Sequence, residues 1–436
     1  MLIQRLGIAE LGQRGGAGGT AVALRALVRS RDSVTEEVRE ILTRVRDEGD
    51  AAVLDFTRQF DTGPGDSRPL LVGADELDDA IRLLGLDVVA GLQVSIKNVA
   101  EVAQAGVSED VAVELSQGQR ILLRELPVGS AAIYVPGGRA PYPSTVVMGV
   151  VTARAAGVLD VVVCAPPSAD GHIHPAILGA CRLCGVERVY RMGGAQAIAA
   201  LAYGTETVAG VDVIVGPGNL YVQEAKLQLS ALVGIDGFAG PSDLMVLLAQ
   251  DAGEDEVRLA ALDMLAQAEH GAGSLVVAAS PGAAVLDALA AELDSRGEEL
   301  SSAGEAAWAL VDVTDAHGAL ELANAFAPEH LQLMGPEMEA LAARVRSAGC
   351  LFVGPASATA FGDYVAGSNH VLPTAGAARF SSTLSPRHFR RRMAEVRIDA
   401  QGAGKLARAG APVARAEGFE WHARSMEARI GDNHEQ

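Results

Sequence analysis

Cysteine is scarce in this chain. Four among 436 residues are too few for a disulfide framework. Basic residues are also few: 35 Lys and Arg stand against 55 Asp and Glu, a net charge of −20. A surface this negative repels phosphate backbones and anionic lipids, which argues against nucleic acid or a membrane surface as partner. Long apolar runs are missing. The longest candidate, Thr145 to Val163, is interrupted by Arg154 and Asp160, so nothing reaches the ~18 uncharged residues of a membrane helix. The opening MLIQRLGIAELGQRGGAGG has no secretory apolar core with a cleavage site. A soluble, cytoplasmic protein is expected. Common nucleotide fingerprints are absent too: no G-x-G-x-x-G leads from a strand into a helix, and Gly404-Lys405 continues with Leu406, so it is no phosphate loop.

What is present is a globular composition, 49 % hydrophobic and 21 % charged. From Ser130 to Gly240, apolar runs alternate with helical patterns. Strands are expected at Ala131–Val135, Asp160–Ala165, Glu187–Tyr190 and Asp212–Val215, each followed by a helix. Four consecutive βα units imply a parallel, doubly wound sheet. Its strand ends read Pro136-Gly137-Gly138, Pro166-Pro167, Gly193-Gly194 and Gly216-Pro217-Gly218. Glycine there lets a ligand approach the backbone, and the following helix N-terminus favours an anion. A second α/β series spans Asp243 to Gly354, with strands expected at 244–248, 274–279, 308–313, 330–334 and 350–353. Helices are expected at Asp255–Glu269 and Met338–Arg346. Residues Val34–Thr57 read as one amphipathic helix belonging with this second series. Gly-Ala-rich patches at Arg14–Gly19 and Gln401–Gly410 read as loops, and Ser385–Gln436 as a charged helical tail.

Chemistry-bearing side chains gather in a few places. Cys181-x-x-Cys184 lies in a helical pattern without a second pair and reads as core. His172, His174, His317, His388 and His434 read as surface. His270 closes a helix with Gly271 as its expected cap, and Gln267 shares its helical face. Glu329-His330 pairs the usual acid and base types. Asp363 and His370 lie in GDYVAGSNHVLPT, which reads as a loop. His422 sits beside Trp421 in the tail. Gln, His and Asp side chains supply the N and O donors that suit zinc.

In order along the chain, YVPGGRAPYPSTVVM (Tyr134–Met148), GGAQAIAALAYGTETV (Gly193–Val208), VGPGNLYVQEAK (Val215–Lys226), AGPSD (Ala239–Asp243), LAQAEHG (Leu265–Gly271), APEHL (Ala327–Leu331), GDYVAGSNHVLPT (Gly362–Thr374) and RFSSTLS (Arg379–Ser385) closely resemble the histidinol dehydrogenases. The resemblance implies a zinc- and NAD-dependent, four-electron oxidation of L-histidinol to L-histidine through the aldehyde. It implies an α/β fold of two Rossmann-like parallel-sheet domains with small N- and C-terminal helical elements, intertwined as a homodimer. The expected partition is an N-terminal element 1–27, a first α/β domain 28–130 plus 242–384, an NAD-binding domain 131–241, and a tail 385–436 reaching the partner subunit. By motif, one zinc ion per subunit would be held by Gln267, His270, Asp363 and His422. Catalysis would fall to Glu329 and His330, further substrate contacts to Ser242, His370 and Glu417, and NAD contacts to Tyr134, Gln196 and Asn219. The chain departs from the family's common residues at Gly149, Thr152, Leu227, Asp243 and Ala327; none of these is an implied ligand or base. A related dehydrogenase with a different substrate, a zinc hydrolase and a non-catalytic paralogue remain the other readings.

Overall fold

The computed structural model describes residues 2–28, 34–65, 68–137, 140–237, 242–271, 273–297 and 304–430. Gly138, Ala239–Pro241 and His434 lie outside them. The chain divides into two compact units. The first comprises 1–106 and 129–389, the second 107–128 and 390–436.

The first unit holds two parallel sheets. One has five strands in the order Val189–Arg191, Asp160–Ala165, Ser130–Tyr134, Val213–Val215, Gly234–Ile235. Its central strand runs buried on both faces, as the unbroken apolar runs require. The pleat sends Ala132 and Tyr134 to one side. There they pack with Ile198 and Ala225 of helices Gly194–Tyr203 and Leu220–Leu229. Ile133 points to the other side, under helix Pro143–Ala155. A Cβ on Gly149 of that helix would lie 2.4 Å from the Ile133 Cγ2. Glycine there lets helix and strand close up. The second sheet has six strands, Ile3–Leu6, Ala307–Asp312, Leu275–Ser280, Asp243–Leu248, His330–Met334 and Cys350–Val353, in that order. Met245, Leu247 and Leu331 pack with Leu24 and Phe326 on one face; Leu244, Val246 and Trp308 pack with Met264 and Leu286 on the other.

Several expectations need correction. Residues 34–57 form two helices, Thr35–Glu48 and Asp50–Thr57, broken at Gly49 with φ +60°. Their apolar faces pack on Ile198 and Leu201, over the five-stranded sheet rather than the six-stranded one. The N-terminal segment is no separate element: Ile3–Leu6 is an edge strand of the six-stranded sheet. The patch at 14–19 runs into helix Gly16–Arg25, whose Ala21 and Leu24 anchor it in the core. Residues 338–346 hold only a short helix, Pro336–Glu339, and a 3₁₀ turn, Ala342–Arg344.

The second unit also departs from expectation. Residues 107–128 do not join an α/β domain. Strands Val111–Glu114, Arg120–Pro127 and Arg390–Arg397 make an antiparallel sheet, so the tail opens with a strand. The patch at 401–410 is helical, within Ala400–Ala416, capped by Asp399, which accepts from the Gly402 N–H at 2.6 Å. Gly410 serves close approach: a Cβ there would sit 2.7 Å from the Met426 sulfur of helix Glu420–Glu427. Among the described residues no single helix is long and apolar enough to span a membrane. Ala74–Leu83 and Leu86–Ala105 reach that composition only together, across a 109° bend.

Overpacking a tight core contact typically costs 1–3 kcal/mol. Gly149→Ala should therefore lower stability by about 1–3 kcal/mol in urea titration. The loss should shrink in an Ile133→Ala background, where the opposing methyls are gone.

Candidate active site

The two sheets of the first unit present opposite edges to one cavity of 1670 Å³. The five-stranded sheet contributes the C-terminal ends of its strands, through Pro136–Gly137 and Gly216–Asn219. The six-stranded sheet contributes N-terminal ends: Ser242 and Asp243 at the start of one strand, Glu329 and His330 at the start of its neighbour. His270, Asp363 and His370 complete the lining on that side.

Glu329 is buried at 7 % exposure, and no Lys or Arg among the described residues pairs with it. One carboxylate oxygen, Oε2, accepts from the Ser242 hydroxyl at 2.6 Å and from the Asp243 N–H at 2.9 Å. Ser242 is held in turn by the Gln267 amide, which donates to its Oγ at 2.6 Å. Burial pushes the Glu329 carboxyl up to about 7, against the opposing pull of His330. Asp243 returns the bond by accepting the Glu329 N–H at 2.7 Å, and its other oxygen meets Arg25 at 3.1 Å.

His330 lies between two carboxylates. Its Nδ1 is 3.7 Å from Glu329 Oε2 and its Nε2 3.5 Å from Asp363 Oδ1. Nδ1 is buried without a hydrogen-bond partner among the described residues. Burial disfavours the imidazolium, but Glu329 and then Asp363 outweigh it and push the group up to about 9. Asp363 belongs to a short helix, Thr359–Tyr364, rather than the expected loop. Burial alone would raise its carboxyl; His330, then His370 and His270, hold it below the usual value. The His370 ring is pinned on both sides, with Nδ1 3.0 Å from the Asp363 carbonyl and Nε2 3.1 Å from the Thr145 hydroxyl. Nδ1–H donates to the carbonyl, which leaves Nε2 of the neutral ring to accept from the Thr145 hydroxyl. His270 follows the helix Glu254–Ala268, whose C-cap is Glu269 rather than the expected Gly271; Gly271, at φ +78°, turns the chain two residues later. Burial lowers both His270 and His370, against Asp363.

Across the cavity, Asn219 caps helix Leu220–Leu229 by accepting the Val222 N–H at 3.1 Å. The helix N-terminus and the Gly216-Pro217-Gly218 loop thus face the cavity. Gly216 has φ +120°, and a Cβ there would lie 2.1 Å from the Tyr134 carbonyl oxygen. Lys226 and Asp236 clasp this turn. The Lys226 ammonium donates to the Gly216 carbonyl at 2.5 Å and to Asp236 at 2.7 Å, while Asp236 accepts the Gly216 N–H at 2.7 Å. The Tyr134 hydroxyl accepts from the Gly194 N–H at 3.1 Å, and burial raises its pKa. Gln196 is buried on the same helix, Gly194–Tyr203; neither side chain lines the cavity.

The first unit therefore brings together Ser242, Gln267, His270, Glu329, His330, Asp363 and His370. It does not include Glu417 or His422. Both are exposed in the second unit, where His422 packs against the Phe419 ring at 5.2 Å. Among the described residues no three His, Cys, Asp or Glu side chains close on a single point.

The family model for histidinol dehydrogenase matches residues 25–430. The chain belongs to this family. A curated histidinol dehydrogenase of Parasynechococcus marenigrum is 42 % identical over 412 residues, covering 93 % of each chain. One of Gluconobacter oxydans is 39 % identical, covering 95 % of this chain and 96 % of its own. The crystal structure of histidinol dehydrogenase from Elizabethkingia anophelis superposes with a TM-score of 0.89 at 29 % identity, covering 98 % of both chains. The parallel α/β architecture is thus that of a histidinol dehydrogenase.

Arg25, Lys226 and Asp236 were not singled out from the sequence. For Arg25 and Lys226 the only available signal was a lone basic residue beside apolar neighbours, which fits many surface positions. Breaking a buried ion pair from one side typically costs 3–5 kcal/mol. Lys226→Met should accordingly lose about 3–5 kcal/mol in denaturant unfolding, and adding Asp236→Asn should restore part of it.

Proposed function

We propose that this histidinol dehydrogenase family member oxidises L-histidinol to L-histidine through the aldehyde, with NAD as acceptor, and so serves histidine biosynthesis. The observation that carries this reading is the opposition within one cavity. A buried carboxylate beside an imidazole with an unpartnered nitrogen faces a glycine-lined helix N-terminus suited to a dinucleotide phosphate. Alcohol to carboxylate removes four electrons. Each NAD takes two, so two hydrides leave and one water is added.

His330 accepts the alcohol proton as the first hydride departs. Glu329 then takes a proton from water as it attacks the aldehyde, and His330 acts again when the gem-diol loses its hydride. A carboxyl poised at about 7 is ionised enough to serve as base near neutrality, so aldehyde oxidation should rise as pH passes about 7.

Gln267, His270 and Asp363 offer an amide oxygen, an imidazole nitrogen and a carboxylate oxygen, a donor set that fits zinc. Asp363 has no Lys or Arg partner among the described residues, which leaves its charge for a cation. Zinc there would orient the imidazole and amino alcohol of the substrate. With its charge so engaged, Asp363 would no longer help to hold a proton on His330. Ser242 and His370 stand beside these residues as substrate contacts, and Tyr134, Gln196 and Asn219 are assigned to the nucleotide side. His422 and Glu417 are assigned to the site of the partner subunit, which makes the enzyme a homodimer with composite sites and His422 a fourth zinc ligand. The site belongs to a cytoplasmic protein in this reading.

With limiting histidinol and excess NAD, two NADH should form per substrate. Glu329→Gln should spare the first oxidation and slow aldehyde oxidation by about 10²–10⁴-fold. An equal fall in both half-reactions would overturn this division of labour. His270→Ala should purify without stoichiometric zinc by metal analysis. Mixed and reassembled with inactive His422→Asn, it should regain about a quarter of wild-type activity, because half the dimers are hybrids and half their sites are intact. No regain on confirmed hybrid formation would place His422 elsewhere.

A further inference from the structure

We propose that Arg25 and Asp243 are positioning residues that fix Glu329 for water activation, an inference that rests on reading Glu329 as the base. Asp243 and Glu329 are joined by two reciprocal bonds. The Asp243 N–H donates to Glu329 Oε2 at 2.9 Å, and the Glu329 N–H donates to Asp243 Oδ1 at 2.7 Å. The free side of Asp243, Oδ2, is taken by Arg25 at 3.1 Å. Arg25 comes from helix Gly16–Arg25, far away in sequence. Its other terminal nitrogen donates to the carbonyls of Phe326 at 2.5 Å and Ala327 at 3.2 Å, and its guanidinium lies 4.0 Å over the Phe326 ring.

Those two carbonyls mark the corner that aims Glu329. Ala327 has φ +51°, a left-handed conformation that L-residues seldom hold unless their surroundings enforce it. The chain then passes through Pro328 into Glu329. One guanidinium thus grips the strand start that carries Asp243 and the corner that precedes Glu329. Only a planar fork reaches three acceptors on two segments while stacking on a ring; an ammonium does not. With Ser242 and Asp243 both on Oε2, no bond among the described residues occupies Oε1. That oxygen is free to take the proton as the water oxygen bonds to the aldehyde carbon. A carboxylate that rotates loses this arrangement, and small misplacements at a reacting centre cost rate steeply.

The histidinol oxidation step does not use Glu329, so the two half-reactions separate positioning from general damage. Arg25→Met, Arg25→Lys and Asp243→Asn are compared with wild type. Single-turnover hydride transfer from histidinol and steady-state oxidation of the aldehyde are measured on zinc-loaded protein. Aldehyde oxidation is expected to fall about 10–100-fold, the range for groups that orient an active residue. Histidinol oxidation, zinc content and the KM for NAD should remain near wild type. Asp243→Asn keeps a hydrogen-bonding group of the same shape, so it reports even if Arg25→Met fails to fold. The double variant Arg25→Met/Asp243→Asn should be no slower than the worse single, because the pair acts as a unit. Equal losses in both half-reactions, or none in either, would overturn the proposal. Glu329→Gln run alongside keeps the two claims apart: if it spares aldehyde oxidation, the reading of Glu329 fails; if it does not, only the positioning claim is at stake.

Discussion

The burial of the Glu329 carboxylate constrains everything around it. A charge taken out of water is costly unless hydrogen-bonded or paired. A direct cation would hold it ionised and make it a poor proton acceptor. The structure answers instead with a hydroxyl and a backbone N–H on one oxygen, and places Arg25 one residue further back, on Asp243. The carboxyl stays near neutrality at about 7 while its geometry is fixed. His330 then sits beside it with a nitrogen that no other group among the described residues satisfies. Unsatisfied buried groups of this kind are destabilising, and they persist where a site needs them.

The two sheets divide the electrostatic work by presenting opposite edges. Strand C-termini in a parallel α/β sheet lead into helix N-termini, so the five-stranded sheet offers the positive ends of helix dipoles, suited to an anion. Strand N-termini are preceded by helix C-termini, so the six-stranded sheet offers negative ends. His270 follows such an end, and Asp363 adds a carboxylate nearby. A cation is favoured there and an anion opposite. In the proposed reading this polarity would suit a phosphate-bearing cofactor on one side and a cation on the other, in the cavity that Glu329 and His330 line.

Most strands of the two parallel sheets were legible because they are buried on two faces, and continuous apolar runs such as Asp160–Ala165 then fix boundaries to within a residue or two; the short edge strands Ile3–Leu6 and Gly234–Ile235 carry no such run and were missed. Glycine misled where it serves packing rather than turning. Gly410 lets two helices close up and Gly402 lies against the Gln117 carbonyl, so a patch that reads as a linker is helical. Residues 34–57 carry a clear amphipathic pattern, but a pattern names no partner sheet. In the site, Glu329 and His330 were legible as chemical types and Gln267 and His270 by helical spacing. The Arg25–Asp243 pair was not, because its members lie 218 residues apart. Departures from the common family residues prove self-consistent: Thr152 bonds to the Met148 carbonyl and to Asn369, and Asp243 finds Arg25.

The scarcity of basic residues acquires a specific meaning at the cavity. Arg25 and Lys226 are the only Lys or Arg among the described residues that line it. Both are spent internally, Arg25 on Asp243 and the Ala327 corner, Lys226 on Asp236 and the Gly216 carbonyl. Neither is left to meet a phosphate. On a chain of net charge −20, a phosphate-bearing cofactor of the proposed kind would meet an unfavourable overall field. Backbone N–H groups at a helix N-terminus are the donors that remain, and they work only if the turn presenting them is rigid. That is what the Lys226–Asp236 clasp supplies. In the proposed reading this buried ion pair would take the place of a phosphate-binding cation by fixing the backbone dipoles of the Gly216 turn.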